Sequence, residues 1–254
     1  MDSPFSLGGK RAVITGGSRG IGAAVTRLLA HAGADVCIGY RSRGEDAAQM
    51  VRECAGIGVR ATSHAADIGT SGGAASLVDH AASTFGGLDL CVHSAGVWPV
   101  AEVPVASLDD ERWAHTMRNN VDAMFYVARA AARAIGDHGR IVMVASTAGQ
   151  RGEAMHADYG ASKGAMIAFV KSMAIELAPR GVTVNAVAPG WVDTEMCAEP
   201  FANGGRERIA RGIPIGRVAS PADVAFPVVC LCFEGSRHIT GEIVNVNGGS
   251  VLCG

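Results

Sequence analysis

The residues with the clearest chemical potential are a phenol and an ammonium within DYGASKGAM, residues 158–166. Tyr159 and Lys163 are four positions apart, which places them on one face of a helix. A phenol with a pKa of about 10 is a poor acid at neutral pH, and a neighbouring ammonium favours the phenolate. The pair is therefore either an ordinary surface pair or a proton-transfer site in which Lys163 tunes Tyr159.

Strands and helices must alternate along the chain to position such a pair. Short β-rich runs predict strands at residues 11–15, 35–40, 88–96, 139–146, 182–190 and 242–249. Helix-length segments separate most of them, and this alternation predicts an α/β fold with a doubly wound, Rossmann-type parallel sheet in a three-layer α/β/α sandwich. Because no change in composition marks a linker, residues 1–254 are predicted to form a single NAD(P)-binding domain.

Composition and charge exclude several classes of function. The net charge of −2 gives no indication of a nucleic-acid or membrane partner, and we expect a cytoplasmic protein. The 7 cysteines are odd in number and form no CxxC pair, so a disulfide framework is not expected. The 8 histidines show no HExxH or HxxxH spacing, so we expect no metal site.

The glycine-rich segment TGGSRGIG, residues 15–22, lies between the first predicted strand and an amphipathic helix. Glycines there permit a tight turn and a close approach of ligand to backbone, and the helix N-terminus favours a pyrophosphate. A turn that serves packing alone is the alternative. The predicted dinucleotide contacts in this loop are Gly16, Ser18, Arg19, Gly20 and Ile21.

The end of the second predicted strand determines which dinucleotide is expected. A carboxylate at that position would bind the ribose 2′-hydroxyl of NAD, but the sequence here is Tyr40, Arg41, Ser42 and Arg43. Guanidinium groups suit a 2′-phosphate, and Arg19 could reach the same group. We therefore predict NADP(H) in preference to NAD(H), unless these arginines are solvated turn charges.

Further motifs along the whole chain resemble those of the short-chain dehydrogenase/reductase family. Ser146 ends a predicted strand thirteen positions before Tyr159, so the two side chains can converge at the sheet edge where ligands bind. The segments that carry the resemblance are TGGSRGIG, AADI, HSAG at 93–96, NNVDAMF, YGASK, PGWVDT at 189–194 and ITGEIVNVNGG. Within the family, the chain resembles the bacterial 3-oxoacyl-(acyl carrier protein) reductases and their relatives.

The resemblance implies a set of catalytic roles. Tyr159 would be the general acid in reduction, Ser146 would bind the substrate carbonyl, and Lys163 would bind the nicotinamide ribose. Asn120 would support a water in the proton relay, although the adjacent Asn119 makes that assignment depend on register.

The resemblance also implies contacts to the cofactor. Asp67 and Ile68 would contact adenine. The loop after the fourth predicted strand reads Ser94-Ala95-Gly96, where the family usually has Asn-Ala-Gly, so this loop is expected to be held differently. The nicotinamide carboxamide would be held by Pro189, Gly190, Val192 and Thr194.

The expected reaction is reduction of a ketone to a secondary alcohol. The carbonyl is a 3-oxoacyl group or another small or cyclic ketone, since Trp98, Met155, His156 and Trp191 flank the site as pocket or packing residues. An acyl carrier protein is a doubtful partner, because only Arg180 of two expected basic positions is present. A second acid at His156, a sugar or polyol dehydrogenase, a redox-neutral epimerase or dehydratase, and a non-catalytic dinucleotide sensor remain alternatives.

Two further features concern movement and assembly. Residues 191–215 mix glycine, proline and charge after a strand end, so a mobile substrate lid is expected there, with a surface excursion as the alternative. Ala161, Ala165, Ala168 and Ser172 form a ridge of small residues that permits close helix packing. The resemblance implies a homotetramer formed through such helices, and an intramolecular contact is the alternative.

Overall fold

A single parallel sheet organises the protein. The computed structural model describes residues 4–252, and positions 1–3 and 253–254 of the predicted domain lie outside the described residues. In chain order the strands are β1 Arg11–Thr15, β2 Asp35–Tyr40, β3 Ala61–Ala65, β4 Leu88–His93, β5 Ile135–Val144, β6 Thr183–Pro189 and β7 Ile243–Val246. Their order across the sheet is β3-β2-β1-β4-β5-β6-β7, and every neighbouring pair is parallel. The strand order reverses between β1 and β4, where a crevice for ligands forms.

Helices cover both faces of this sheet. They are α1 Gly20–His31, α2 Gly44–Ile57, α3 Ser71–Phe85, α4 Asp110–Met117, α5 Ala123–Ala134, α6 Ala148–Arg151, α7 Ala157–Leu177, α8 Ala198–Phe201, α9 Gly205–Arg211 and α10 Pro221–Cys230. Within residues 4–252, none of the helices is both long and apolar enough to cross a membrane.

Two hydrophobic cores follow from the alternation of side chains along each strand. Ala12 and Ile14 of β1 face a core that they share with α1, α2 and α10. Val13, between them, faces the opposite core, which α3, α5 and α7 cover. The predicted doubly wound, three-layer α/β/α fold is confirmed.

The sequence analysis missed one strand. β3 pairs with β2 from Val36↔Ala61 to Tyr40↔Ala65, yet its sequence ATSHA lacks a run of β-branched residues. Each β3 residue is partly or fully exposed, because the strand lies at the sheet edge. Backbone pairing with β2 stabilises this strand more than burial of its own side chains, so hydrophobic periodicity gave no signal.

The segment predicted as a lid folds as short helical pieces. A 3-10 turn at Glu195–Cys197 leads into α8 and then α9. The segment is joined to the body by a bridge between Val192 and Ala219, where the Asp193 amide donates to the Ala219 carbonyl at 2.8 Å. Its mobility stays a prediction.

Candidate active site

The glycine loop makes the floor of a cleft between β1 and α1. Gly16 and Gly20 have φ values of 64° and 53°, the left-handed region in which side chains are strained. A Cβ atom at Gly22 would overlap the carbonyl oxygen of Gly16, so the first turn of α1 approaches the loop closely because glycine is present. Arg19 precedes α1 without capping it through its side chain. The loop therefore presents backbone to the cleft.

Most of the predicted cofactor contacts line this cleft, which has a volume of about 500 Å³. Its walls come from the ends of β1 and β2 and from the segments that follow β3, β4 and β6. The predicted residues along it are Gly16, Ser18, Arg19, Gly20, Ile21, Tyr40, Arg41, Ser42, Asp67, Ile68, Ser94, Ala95, Gly96, Trp98 and Thr194. The dimensions and the glycine floor suit an extended dinucleotide.

Two arginines of the cleft converge on one carboxylate. Arg19 Nη1 and Arg43 Nη2 lie 3.2 Å and 3.0 Å from the same atom, Glu195 Oε2. Glu195 belongs to the predicted lid, and the sequence analysis assigned it no role. Because both guanidinium groups face one point, this end of the cleft is suited to bind a dianionic phosphate.

Two other residues that line the cleft, Arg41 and Asp67, form polar pairs. Arg41 Nη1 donates to Asn119 Oδ1 at 2.9 Å. Asp67 pairs with Arg118 at 2.6 Å, and its other oxygen accepts the Gly69 amide at 3.1 Å. Arg41 therefore pairs with Asn119 in the same cleft, and its role in binding a 2′-phosphate stays a prediction.

Thr15 and His93 hold the loop after β4. The Thr15 hydroxyl oxygen accepts the backbone N–H groups of Ser94 and Ala95, each at 3.1 Å. Its own proton is therefore available to His93 Nδ1, 3.1 Å away, which leaves the neutral ring with hydrogen on Nε2. The loop is held through its backbone, which explains how Ser94 can replace the family's asparagine.

His93 is a buried titratable group that the sequence analysis did not single out. Its side chain is 1% exposed, and in the described part of the chain Nε2 has no hydrogen-bond partner. Burial and, to a smaller extent, the Lys163 ammonium lower the pKa of His93 to about 3. The ring is therefore neutral at physiological pH and close enough to Lys163 to feel its charge.

Asn120 lies in a π-helical turn, Arg118–Asp122, between α4 and α5. Its Oδ1 accepts the Val97 amide at 2.8 Å, and its Nδ2 donates to the Val97 carbonyl and to Ser162 Oγ, both at 3.0 Å. A Cβ at Gly96 would lie 3.1 Å from Asn120 Oδ1. The amide thus connects the loop after β4 to α7, and such turns are frequent at functional sites. Its predicted relay role stays a prediction.

Ser146, Tyr159 and Lys163 converge where β5 ends and α7 begins. The Ser146 hydroxyl accepts the Ala148 amide at 3.1 Å and is close enough to the Tyr159 phenol to lower the pKa of that phenol. Lys163 Nζ donates to the Val144 carbonyl at 2.9 Å and lies 5.8 Å from the centre of the Tyr159 ring. The trio lies beside the cleft and adjoins it through the loop at Gly96, where a Cβ would be 3.6 Å from Lys163 Nζ.

Burial shifts the pKa values of both Tyr159 and Lys163. The pKa of Tyr159 is raised to about 12, mainly by burial. The Ser146 hydroxyl lowers this pKa, and Cys197 and Glu153 make smaller contributions that raise it. Burial also lowers the pKa of Lys163 to about 8. The expectation that Lys163 tunes the acidity of the phenol stays a prediction, because burial is the main cause of the pKa found for Tyr159 in the protein. The phenol is held in its protonated form.

Three of the four predicted nicotinamide contacts are not among the residues that line the cleft. The Pro189 carbonyl accepts the Thr147 amide at 3.0 Å, and the Gly190 amide donates to the Val246 carbonyl at 3.2 Å. Val192 is buried. Thr194 alone of the four lies on the cleft, close to Gly20, where a Cβ would be 3.4 Å from its methyl group.

The predicted substrate residues meet in an aromatic cluster. Trp98 stacks on His156 with ring centres 5.0 Å apart and contacts Trp191 edge to face at 5.7 Å. Trp191 contacts Phe201 of α8 at 5.9 Å, a residue that the sequence analysis missed. Met155, by contrast, is 45% exposed in a left-handed backbone conformation with φ of 65°, and its carbonyl accepts the Val103 amide.

Comparison with known proteins identifies the class to which this fold and site belong. A family model described as enoyl-(acyl carrier protein) reductase matches residues 16–250. The chain belongs to the short-chain dehydrogenase/reductase family of oxidoreductases, which bind nicotinamide dinucleotides. The resemblance inferred from the motifs is confirmed.

Individual relatives cover nearly the whole chain. Versicolorin reductase of Emericella nidulans is 36% identical over 262 residues, with 97% of each chain covered. A 3-oxoacyl-[acyl-carrier-protein] reductase of Vibrio cholerae is 35% identical, covering 98% of this chain and 100% of its own. A short-chain dehydrogenase of Burkholderia cenocepacia, solved in complex with NADP, is 36% identical with a TM-score of 0.90 and covers 96% of this chain and 98% of its own.

Proposed function

We propose that this protein is an NADPH-dependent carbonyl reductase that converts a ketone to a secondary alcohol, with Tyr159 as the proton donor. The observation that carries the proposal is the convergence of Ser146, Tyr159 and Lys163 where β5 ends and α7 begins, next to the dinucleotide cleft. The names of the relatives, which include two reductases, support the same chemistry.

The chain's own residues fit a phosphorylated dinucleotide. The glycine floor would hold the pyrophosphate, and Arg19 and Arg43 would hold the 2′-phosphate at the point where they now meet Glu195. Asp67 and Ile68 would flank the adenine. When bound, NADPH supplies the hydride. The NADP bound in the Burkholderia cenocepacia relative agrees with this preference.

The proton and charge chemistry belongs to the side chains. A phenol with a pKa of about 12 is protonated at neutral pH, which is the form that can donate to a carbonyl oxygen as that oxygen gains negative charge. Ser146 donates a second hydrogen bond to the same oxygen and stabilises the charge. Lys163, held by the Val144 carbonyl, keeps a positive charge close to the phenol as the proton leaves.

A free small or cyclic ketone fits better than a carrier-bound acyl group. The Arg180 guanidinium donates to Asp137 at 3.1 Å, to the Ala132 carbonyl at 2.9 Å and to the Ile135 carbonyl. These bonds join the turn after α7 to α5 and β5, and they occupy the one basic side chain predicted to recruit an acidic carrier.

Replacement of Tyr159 by phenylalanine tests the proposal. Loss of the proton donor is expected to lower kcat by about 100- to 10,000-fold without changing the Kd for NADPH. Tyr126→Phe, in α5, is the matched control and should retain activity. Activity is followed as NADPH oxidation with a cyclic ketone, a 3-oxobutyryl thioester and a crotonyl thioester, and as NADP reduction with a polyol.

The panel separates the proposed function from its alternatives. Turnover of ketones alone supports a carbonyl reductase, whereas crotonyl thioester or polyol turnover identifies an enoyl reductase or a polyol dehydrogenase. Tight NADPH binding without any turnover would identify a dinucleotide sensor. Full ketone reduction by the Tyr159→Phe variant would contradict the assigned proton donor.

A further inference from the structure

The aromatic cluster of Trp98, His156, Trp191 and Phe201 comes from four separate segments that meet beside the catalytic trio. Trp98 follows β4 and lines the cleft, His156 immediately precedes α7, Trp191 follows β6, and Phe201 ends α8. Trp98, Trp191 and Phe201 are each only partly buried. The three rings therefore retain accessible surface, and that of Trp98 lines the cleft.

The His156 ring is held in a fixed position and supports the Trp98 ring of this cluster. The ring is 5% exposed, with Nδ1 3.4 Å from the Ala154 carbonyl oxygen and Nε2 3.3 Å from the Val100 carbonyl oxygen. Both nitrogens face backbone acceptors, so the ring presents its face to Trp98, with an angle of 24° between the two planes. This placement assigns His156 to orienting Trp98 and argues against its role as a second acid.

The rest of the cluster forms a wall at right angles to this stack. Trp191 is perpendicular to Trp98, with 90° between the ring planes, and Phe201 continues from Trp191 into the lid segment. A flat stacking face with a perpendicular wall is the geometry that aromatic pairs prefer, offset-stacked on one side and edge to face on the other.

We propose that the substrate of this site is a planar ketone fused to an aromatic ring, bound against Trp98 and Trp191 while its carbonyl oxygen reaches Tyr159 and Ser146. This inference rests on the proposed carbonyl reductase function and specifies its substrate class. A linear acyl chain would contact the same rings through a narrow, flexible stem and would gain less from stacking.

Two ketones of matched shape provide the first test. 2-Tetralone and trans-2-decalone carry the carbonyl at the same position of a fused six-membered ring system, but only 2-tetralone has an aromatic ring. Trp191→Leu is expected to lower kcat/KM for 2-tetralone by about 2- to 12-fold more than for trans-2-decalone, the equivalent of one aromatic pair. Trp191→Phe should restore most of the loss, and Phe226→Leu, an exposed ring on α10, should have no effect.

A binding measurement makes the test independent of turnover. 2-Naphthol and trans-2-decalol are compared by calorimetric titration into the NADP-loaded protein, in the wild type and in Trp191→Leu. We expect 2-naphthol to bind more tightly than trans-2-decalol and to lose that advantage in the variant. The Kd for NADPH, measured in parallel, shows whether the variant folds.

The outcomes separate the inference from the function on which it rests. Equal losses for the aromatic and the saturated ligand, or no loss for either, would overturn the aromatic substrate class and leave the carbonyl reductase intact. If the protein reduces neither these ketones nor any other carbonyl, the reductase proposal and the substrate class are both overturned. In that case, 2-naphthol binding that depends on Trp191 would still identify the site as a pocket for planar ligands.

Discussion

Glu195 is expected to weaken the binding of NADPH, because it occupies the two arginines that a 2′-phosphate would use. Its Oε2 atom lies 3.2 Å from Arg19 and 3.0 Å from Arg43, and the three side chains are 52–60% exposed. Glu195→Gln removes the negative charge and retains the shape. The phosphate then no longer competes with a carboxylate for the guanidinium groups.

The size of the effect follows from the exposure of the two ion pairs. An exposed pair contributes about 0.2–1 kcal/mol, so release of both from Glu195 corresponds to roughly 2- to 30-fold in affinity. We therefore expect the Kd for NADPH to fall by about this factor in Glu195→Gln. The Kd for NADH should not change, since NADH carries no phosphate at that position.

Titration of cofactor fluorescence, with NADPH and NADH in parallel, measures both constants. Repeating the titrations at high ionic strength should shrink the NADPH effect, because exposed charges are screened. Glu199→Gln, an exposed carboxylate on α8, is the control. The reasoning is refuted if Glu195→Gln changes the affinities for NADPH and NADH equally, or if NADPH binds more weakly.

Two further predictions concern stability and assembly. Because burial holds the pKa of His93 at about 3 in the folded protein against 6.5 when unfolded, stability should fall as pH decreases from 6.5 toward 3. At about pH 5 the free energy of unfolding should be about 2 kcal/mol lower than above pH 6.5. Urea unfolding at both pH values should show this decrease in the wild type and in the exposed control His238→Asn, but not in His93→Asn. On α7, an exposed ridge is formed by Ala161, Ala165, Ala168 and Ser172. We expect copies of the protein to associate through this ridge, and we expect Ala165→Arg to disrupt the association. Light scattering checks this, and a wild-type mass near 26.0 kDa would contradict it.

Sequence alone was sufficient wherever the physical requirement is local. Six of the strands and the parallel, doubly wound fold follow from alternation of apolar runs with helical periodicity. The glycine loop follows from positions where a side chain would strain or overlap the backbone, as at Gly16 and Gly22. The shared face of Tyr159 and Lys163 follows from helix geometry, since residues four apart are neighbours.

Only the tertiary structure decided which distant groups meet. Thr15 and His93 are 78 positions apart, and Glu195 is 176 positions from Arg19, so no periodic pattern relates them. Phe201 joined the aromatic cluster because α8 folds against Trp191, and β3 formed because β2 offered an unpaired edge. Sequence periodicity reports neighbours within a turn or a strand, whereas these contacts depend on strand order and loop paths, which bring remote segments to the same edge of the sheet.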